Sequence, residues 1–245
     1  MRYVVTILWL LLLGVSPCAA DLRIERTKIA VDPDSEDDAR EWPDVLFIGV
    51  DGVRRDLAST SVIVRSDADT YIHIDHDARA YVEVPLPLRL EDLLTEADAT
   101  CLSRSPLALE NLEAEVTLTA ESRQVGRWKA TRVRVRGRHS LGLELEEDLW
   151  ITHDLPVDLS LYFKMARNTA ALSPLSRAWY GDLVAANGFP LESTTTRRMR
   201  DRTWRWQRRL DSVTEVEPDP ARYRPPAGYT PTLSRPPLDV ACVSP

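Results

Sequence analysis

STSVIVRSDADTYIHIDHDARAYVEVP, Ser59–Pro85, is the most regular stretch of the chain. Three short runs, SVIVRS, TYIHID and RAYVEV, are rich in β-branched and aromatic residues, which suit a pleated, half-buried surface. Asp-Ala-Asp and His-Asp-Ala clusters separate them and suit turns. Side chains alternate along a strand, so Ile72 and Ile74 fall on one face and Tyr71, His73 and Asp75 on the other. The stretch predicts an antiparallel meander with one buried face, and with it a mainly β fold.

Toward the N-terminus, Leu22–Val31 reads as a first strand, DPDSEDD (Asp32–Asp38) as a solvated acidic loop, and WPDVLFIGVDGVRRD as an apolar strand with a turn at Asp51-Gly52. The acidic loop lacks the glycine turn and distal glutamate of an EF-hand. Toward the C-terminus the period changes over Pro87–Ala99, where Leu90, Leu93, Leu94 and Ala97 share one helical stripe. Strands resume at EAEVTLTA, RWKATRVRVRG and SLGLELEEDLWIT; in the second, Val133 and Val135 alternate with Arg132, Arg134 and Arg136, as on a strand wet on one side. A helical region spans Asp158–Ala186, split by Ser173-Pro174 and stopped by Asn187-Gly188; Leu175, Ala178, Trp179 and Leu183 make its second half amphipathic. FPLESTTTRRMR and TWRWQRRLDSVTEVE give two last strands. From Pro218 onward eight of 28 residues are proline, which predicts an extended or disordered tail.

The expected fold is α+β, mainly β: a curved antiparallel sheet forming an incomplete barrel around two or three helices. It occupies residues 21–228 as one domain, followed by a proline-rich tail over 229–245. Residues 1–20 combine an early arginine, an apolar run over Tyr3–Val15 and small residues at Cys18, Ala19 and Ala20. That pattern is a secretory signal peptide cleaved after Ala20, too short to span a membrane. Pro17 disfavours acylation at Cys18, and no later apolar run has spanning length. The expectation is an exported protein of a Gram-negative periplasm. Cys101 and Cys242 then remain as candidates for a single disulfide.

Arg197–Leu210 (RRMRDRTWRWQRRL) holds seven arginines against one aspartate, with two tryptophans among them. As a strand it puts Trp204, Trp206 and Leu210 on one face and Arg205, Gln207 and Arg209 on the other. A nucleic-acid platform mixes aromatics and cations in one groove, so this separation, with the chain's net charge of −7, argues against a nucleic-acid partner. Arginine outnumbers lysine 28 to 3, which makes any one arginine run less telling. The tryptophan face is expected to join an apolar interior.

Other chemistry is sparse. HIDHD offers His73, Asp75, His76 and Asp77 as metal ligands, but no distant fourth ligand stands out, and a strand histidine beside a hairpin turn is the preferred reading. There is no G-x-S-x-G, no H-E-x-x-H and no phosphate-cradling loop, and nine glycines in 245 residues speak against a cofactor. A non-enzymatic protein without a cofactor is expected.

The order of elements, with DGVRRD, the meander, EDLWIT, GFPLE and RYRPPAGY, resembles an exported bacterial family of unknown function and, more distantly, the lipoprotein localisation carriers (LolA/LolB-like) of the Gram-negative envelope. The matching residues are Arg55, Asp56, Arg65, Asp67, Tyr81, Trp150, Ile151, Thr152, Gly188 and Pro190. The resemblance implies an incomplete antiparallel barrel whose helices lid an apolar cavity for acyl chains. On that reading the ligand is a lipid or lipoprotein acyl chain, lined by Leu90, Leu94, Trp179, Leu183, Trp204 and Trp206. The alternative is an envelope protein–protein interaction module with a filled core and no ligand, docking partners through its arginine-rich strand faces and its acidic loop.

Overall fold

The computed structural model describes residues 20–32, 35–88, 112–139, 142–171 and 188–232. In chain order the strands are β1 (Asp21–Asp32), β2 (Ser35–Ile48), β3 (Gly52–Asp56), β4 (Thr60–Arg65), β5 (Thr70–Asp75), β6 (Ala80–Pro85), β7 (Leu112–Val125), β8 (Trp128–His139) and β9 (Leu143–Thr152), then β10 (Phe189–Met199), β11 (Arg202–Val216) and β12 (Thr230–Pro231). They form one 12-stranded sheet in the order β12-β6-β5-β4-β3-β2-β1-β11-β10-β9-β8-β7, open rather than closed into a barrel. Two meanders, β1 to β6 and β7 to β11, are joined by the antiparallel pairing of β1 with β11.

The helix α1 (Ser160–Ala171) is the α-helix among the described residues, where two or three were expected. The expected helix over 87–99 and the second half of the one over 158–186 lie almost wholly outside those residues. Asp158 begins α1, accepting from the backbone N–H of Ser160 at 2.9 Å, as an N-terminal cap does. Tyr162, Met165, Ala166 and Ala170 recur at helical spacing and are buried. Tyr162, Met165 and Ala166 join a cluster that unites Val82 and Val84 of β6 with Val125, Trp128 and Ala130 near the other edge, so the sheet must curve around α1. Asn168 pins the helix by accepting from Leu88 N–H at 2.8 Å, and Lys164 pairs with Asp69.

The sequence reading of the acidic stretch is corrected: Ser35 already belongs to β2, which pairs with β1 from Asp32↔Ser35 onward. The ladder shifts register between Ala30↔Arg40 and Asp32↔Ser35, and the pairing of Ser35 satisfies backbone groups that a solvated loop would leave to water.

The meander has both faces covered, not one. Val53, Val64, Tyr71, Val82 and Val84 face the concave side and α1. On the convex side Ile63, Ile72 and Ile74 pack with Tyr223, flanked by Phe47, Tyr81 and Tyr229. The tail supplies that cover. Asp219 caps a 3-10 turn over Pro220–Tyr223, and β12 then pairs in parallel with β6 through Thr230↔Ala80 and Pro231↔Tyr81. The proline content predicts an extended or disordered segment, and the described part of it is ordered: fixed φ angles make an extended strap less costly to order.

Under the strap the buried Asp21 accepts from Tyr223 Oη at 2.8 Å and Arg222 Nη1 at 2.5 Å. Gly49 lies against this clamp: a Cβ there would stand 1.9 Å from Asp21 Oδ1 and 2.6 Å from Tyr223 Oη. Gly49→Ala is therefore expected to lower stability by about 1–3 kcal/mol, the usual range for overpacking, as read by urea denaturation.

Candidate functional site

The concave face at the centre of the sheet is charged. Alternation puts Leu22, Ile24, Arg26 and Lys28 of β1 on it, and register carries the pattern to the neighbours. Arg26 stands opposite Asp44 on β2 and Leu210 on β11; Lys28 stands opposite Trp42 and Arg208; Ala30 stands opposite Arg40 and Trp206. Trp206 faces Thr195 on β10, which faces Glu147 on β9. A bulge decides which residues of β11 point inward. Glu25 pairs with Ser212 but Arg26 with Leu210, so Asp211 is the extra residue, and beyond it Leu210, Arg208, Trp206 and Trp204 turn to the concave side.

Asp44 is the hub. It is fully buried and receives three guanidinium groups. Arg55 binds it through both Nε at 2.7 Å and Nη2 at 3.0 Å. Arg26, 3% exposed, reaches Oδ2 with Nη2 at 3.0 Å and donates Nη1 to Pro190 O at 3.1 Å. Arg208 Nε lies 3.1 Å from Oδ2, an ion-pair distance without hydrogen-bond alignment. Burial alone would raise the Asp44 carboxyl, but Arg26, Arg55 and Arg208 together hold it far below the usual carboxylate range. Burial pushes Arg26 the other way, down to about 10, with Asp44 opposing.

Around the hub, cations and aromatic rings share the face. Lys28 sits over Trp42 at 5.2 Å and Arg197 over Trp206 at 5.1 Å. The expected segregation of the two is overturned, because Arg208 has the same parity as the tryptophans and Arg197 and Lys28 come from the flanking strands. Trp204 and Trp206 are half-buried and, with Trp42, belong to none of the apolar clusters among the described residues. Leu90, Leu94, Trp179, Leu183, Cys101 and Cys242 lie outside the described residues.

The HIDHD residues diverge. His73 faces the concave side, where burial lowers its pKa, with Asp75 opposing. His76 turns to the convex side, with Nε2 2.6 Å from Ser61 Oγ and Nδ1 3.0 Å from Tyr229 Oη. Ser61 and His76 look like a nucleophile and its base, but the proton count says otherwise. Ser61 Oγ donates its one hydrogen to Asp56 Oδ1 at 2.5 Å, so His76 Nε2 must be the donor toward Ser61. A general base needs a lone pair there. Ser61 is also fully buried, and among the described residues no three His, Cys, Asp or Glu side chains are placed to hold a metal.

Of the residues that carried the family resemblance, Arg55 binds Asp44, Asp56 binds Arg54 and Ser61, and Arg65 and Asp67 form an exposed bidentate pair. Gly188 packs directly on Ile151, where a Cβ would stand 2.6 Å from Cδ1. On the convex face of β8 to β10 a groove of about 280 Å³ lies among Arg136, Arg138, Glu144, Glu146, Thr196 and Arg198, with charges of both signs paired across it.

No protein-family model matches the chain, and no curated protein matches it. Solved structures of similar layout include a LolA superfamily protein. That protein, from Nitrosomonas europaea, is 6% identical with a TM-score of 0.31, over 85% of this chain and 91% of its own. An uncharacterized conserved protein from Thermus thermophilus is 7% identical with a TM-score of 0.43, over 87% of this chain and 90% of its own. The structure of PNGF-II is 12% identical with a TM-score of 0.42, over 87% of this chain, which spans only 31% of that one. All three scores are below 0.5, and what the concave face can bind has to be read from its own residues.

Proposed function

We propose that the protein is a non-enzymatic binder of an acyl-bearing ligand, a lipid or the lipid moiety of a lipoprotein, held on the concave face of its open sheet. The observation that carries this is the set of three half-buried tryptophans, Trp42, Trp204 and Trp206, on that face and outside the apolar clusters. Tryptophans that serve only as core are drawn into such clusters. Half-exposed rings on a concave surface offer apolar area at low entropic cost, as ligand sites do. The N-terminal segment read as a signal peptide fits action in the envelope, and among the described residues no helix is long and apolar enough to cross a membrane.

Native mass spectrometry of protein purified gently from its own periplasm, before and after organic extraction, tests the reading. The expected result is an extractable acyl lipid and re-uptake of it by the stripped protein. A bare mass together with no uptake of added acyl lipid overturns it. Trp206→Ala is expected to weaken that uptake about fivefold or more, the loss of a central aromatic anchor.

A further inference from the structure

We infer that the ligand's head is anionic, a phosphate or carboxylate, and that Arg26, Lys28, Arg197 and Arg208 receive it on the concave face of β1, β10 and β11. This rests on the acyl-binding reading and adds the chemistry of the other end of the ligand.

Charge balance is the first ground. Among the described residues this region holds five cations, Arg26, Lys28, Arg55, Arg197 and Arg208, against two carboxylates, Asp44 and Glu147. Arg26 and Asp44 are buried and the other members of the set are half-buried, so the excess of three positive charges is only partly hydrated, and pairing it with an anion is favourable. Asp44 has no capacity to spare. The oxygens of Asp44 already serve three guanidinium groups. Burial raises the pKa of Glu147, although Arg208, a hydrogen bond from Thr195, and Arg197 oppose this.

Unmet donors are the second ground, independent of the first. The Nε atoms of Arg26, Arg197 and Arg208 are buried and have no hydrogen-bond acceptor. Arg26 is itself 3% exposed. Arg208 Nε has the Asp44 carboxylate at ion-pair distance without an aligned bond, while Arg26 Nε and Arg197 Nε have no acceptor; a buried guanidinium N–H left so forfeits its hydration without a full return, which is unusual for a finished core. A tetrahedral phosphate or a carboxylate presents several acceptor oxygens at once, and arginine is the side chain whose planar fork suits both.

Position links this head site to the chain site. Lys28 lies over Trp42 and Arg197 over Trp206, so the cations that would meet the anion rest on the rings that would meet the chain. An amphiphile whose head is fixed at Arg197 and Arg208 thus places its first methylenes on tryptophan. Free phosphate would use only half of this arrangement.

Isothermal titration with a matched series separates the cases, using the full mature protein: a monoacylglycerol phosphate, the monoacylglycerol of the same chain length, and inorganic phosphate. The phosphate-bearing amphiphile is expected to bind about tenfold or more tighter than the neutral one, with an advantage that shrinks as salt is raised. Arg197→Gln is expected to bring the ratio of the two affinities close to one, and Arg208→Lys, which keeps the charge, to retain part of it. Equal affinities for the two amphiphiles, unaltered by either variant, overturn the head-group inference and leave acyl binding standing. Binding of neither amphiphile removes the acyl reading itself. Inorganic phosphate bound as tightly as the amphiphile, or a single-stranded oligonucleotide bound more tightly than any of the three, also overturns the inference, since the anion would then not be a lipid head.

Discussion

Asp44→Asn is expected to destabilise the protein by about 3–5 kcal/mol, the loss seen when one member of a buried ion pair is removed and its partners stay buried. Here the partners are three guanidinium groups gathered on one carboxylate. Neutralising the hub leaves mutual repulsion among Arg26, Arg55 and Arg208 with nothing to offset it. For a domain of this size the change corresponds to a fall in Tm of roughly 6–20 °C. The acid limb of the stability curve carries the same information. The folded-state pKa of Asp44 is depressed, so its contribution is fully present above the unfolded value near 4, and is lost as pH falls through the depressed value. Wild type and Asp44→Asn should therefore differ most at neutral pH and converge in strong acid. Thermal melts at pH 7 and at a series of pH values descending into strong acid, where the difference should narrow progressively below about pH 4, check both points; a variant that melts within a degree or two of wild type at pH 7 would show that the hub is not what holds β1, β2, β3 and β11 together. Added sulfate should rescue the variant in part, since an anion bound by the freed arginines stabilises the folded state by mass action.

Tyr223→Ala should cost about as much, roughly 3–5 kcal/mol, because a large buried ring is removed from between the strap and the sheet. The ring is 2% exposed and covers Ile63, Ile72 and Ile74 on the convex face. Its hydroxyl also holds Asp21, whose negative charge together with burial keeps the phenol protonated well beyond the physiological range. Tyr223→Phe separates the two roles. It removes only the hydroxyl, leaves Asp21 to Arg222, and should cost about 1 kcal/mol. Urea unfolding of both variants, with limited proteolysis of the segment after Glu217, reads the outcome. A strap that stays protease-resistant in Tyr223→Ala would mean that β12 pairing, not the ring, seats it.

The meander was legible because each of its strands is short, β-branched and bounded by turn residues, and its pairing is local. The same holds for β8, where Val133 and Val135 are buried and Arg132 and Arg134 face outward to Asp148. Pairings across long separations were not legible. Nothing near DPDSEDD says that Ser35 will pair with Asp32 of β1, and nothing near Pro218 says that a tyrosine five residues on will fill a gap left by three isoleucines. The charged hub did leave a trace that went unread. In Leu22, Ile24, Arg26 and in Asp44, Leu46, Ile48 a charge of opposite sign interrupts each inward-facing apolar series. Two adjacent strands with opposite charges on their buried parity can satisfy one another only by facing across the ladder. The bulge at Asp211, which decides where Arg208 points, has no comparable sign in the sequence.

The position of β1 governs the order in which the chain can fold. It is a central strand, flanked by β2 on one side and by β11, near the other end of the chain, on the other. Its second neighbour does not exist until Val216 has been made, and the clamp on Asp21 waits for Tyr223. The local meander can pair before β11 exists, but the sheet as a whole cannot close, and contacts of such long range make folding slow, on the scale of milliseconds to seconds. The ladder that joins the two meanders is thus the last part of the sheet to close, whichever meander forms first.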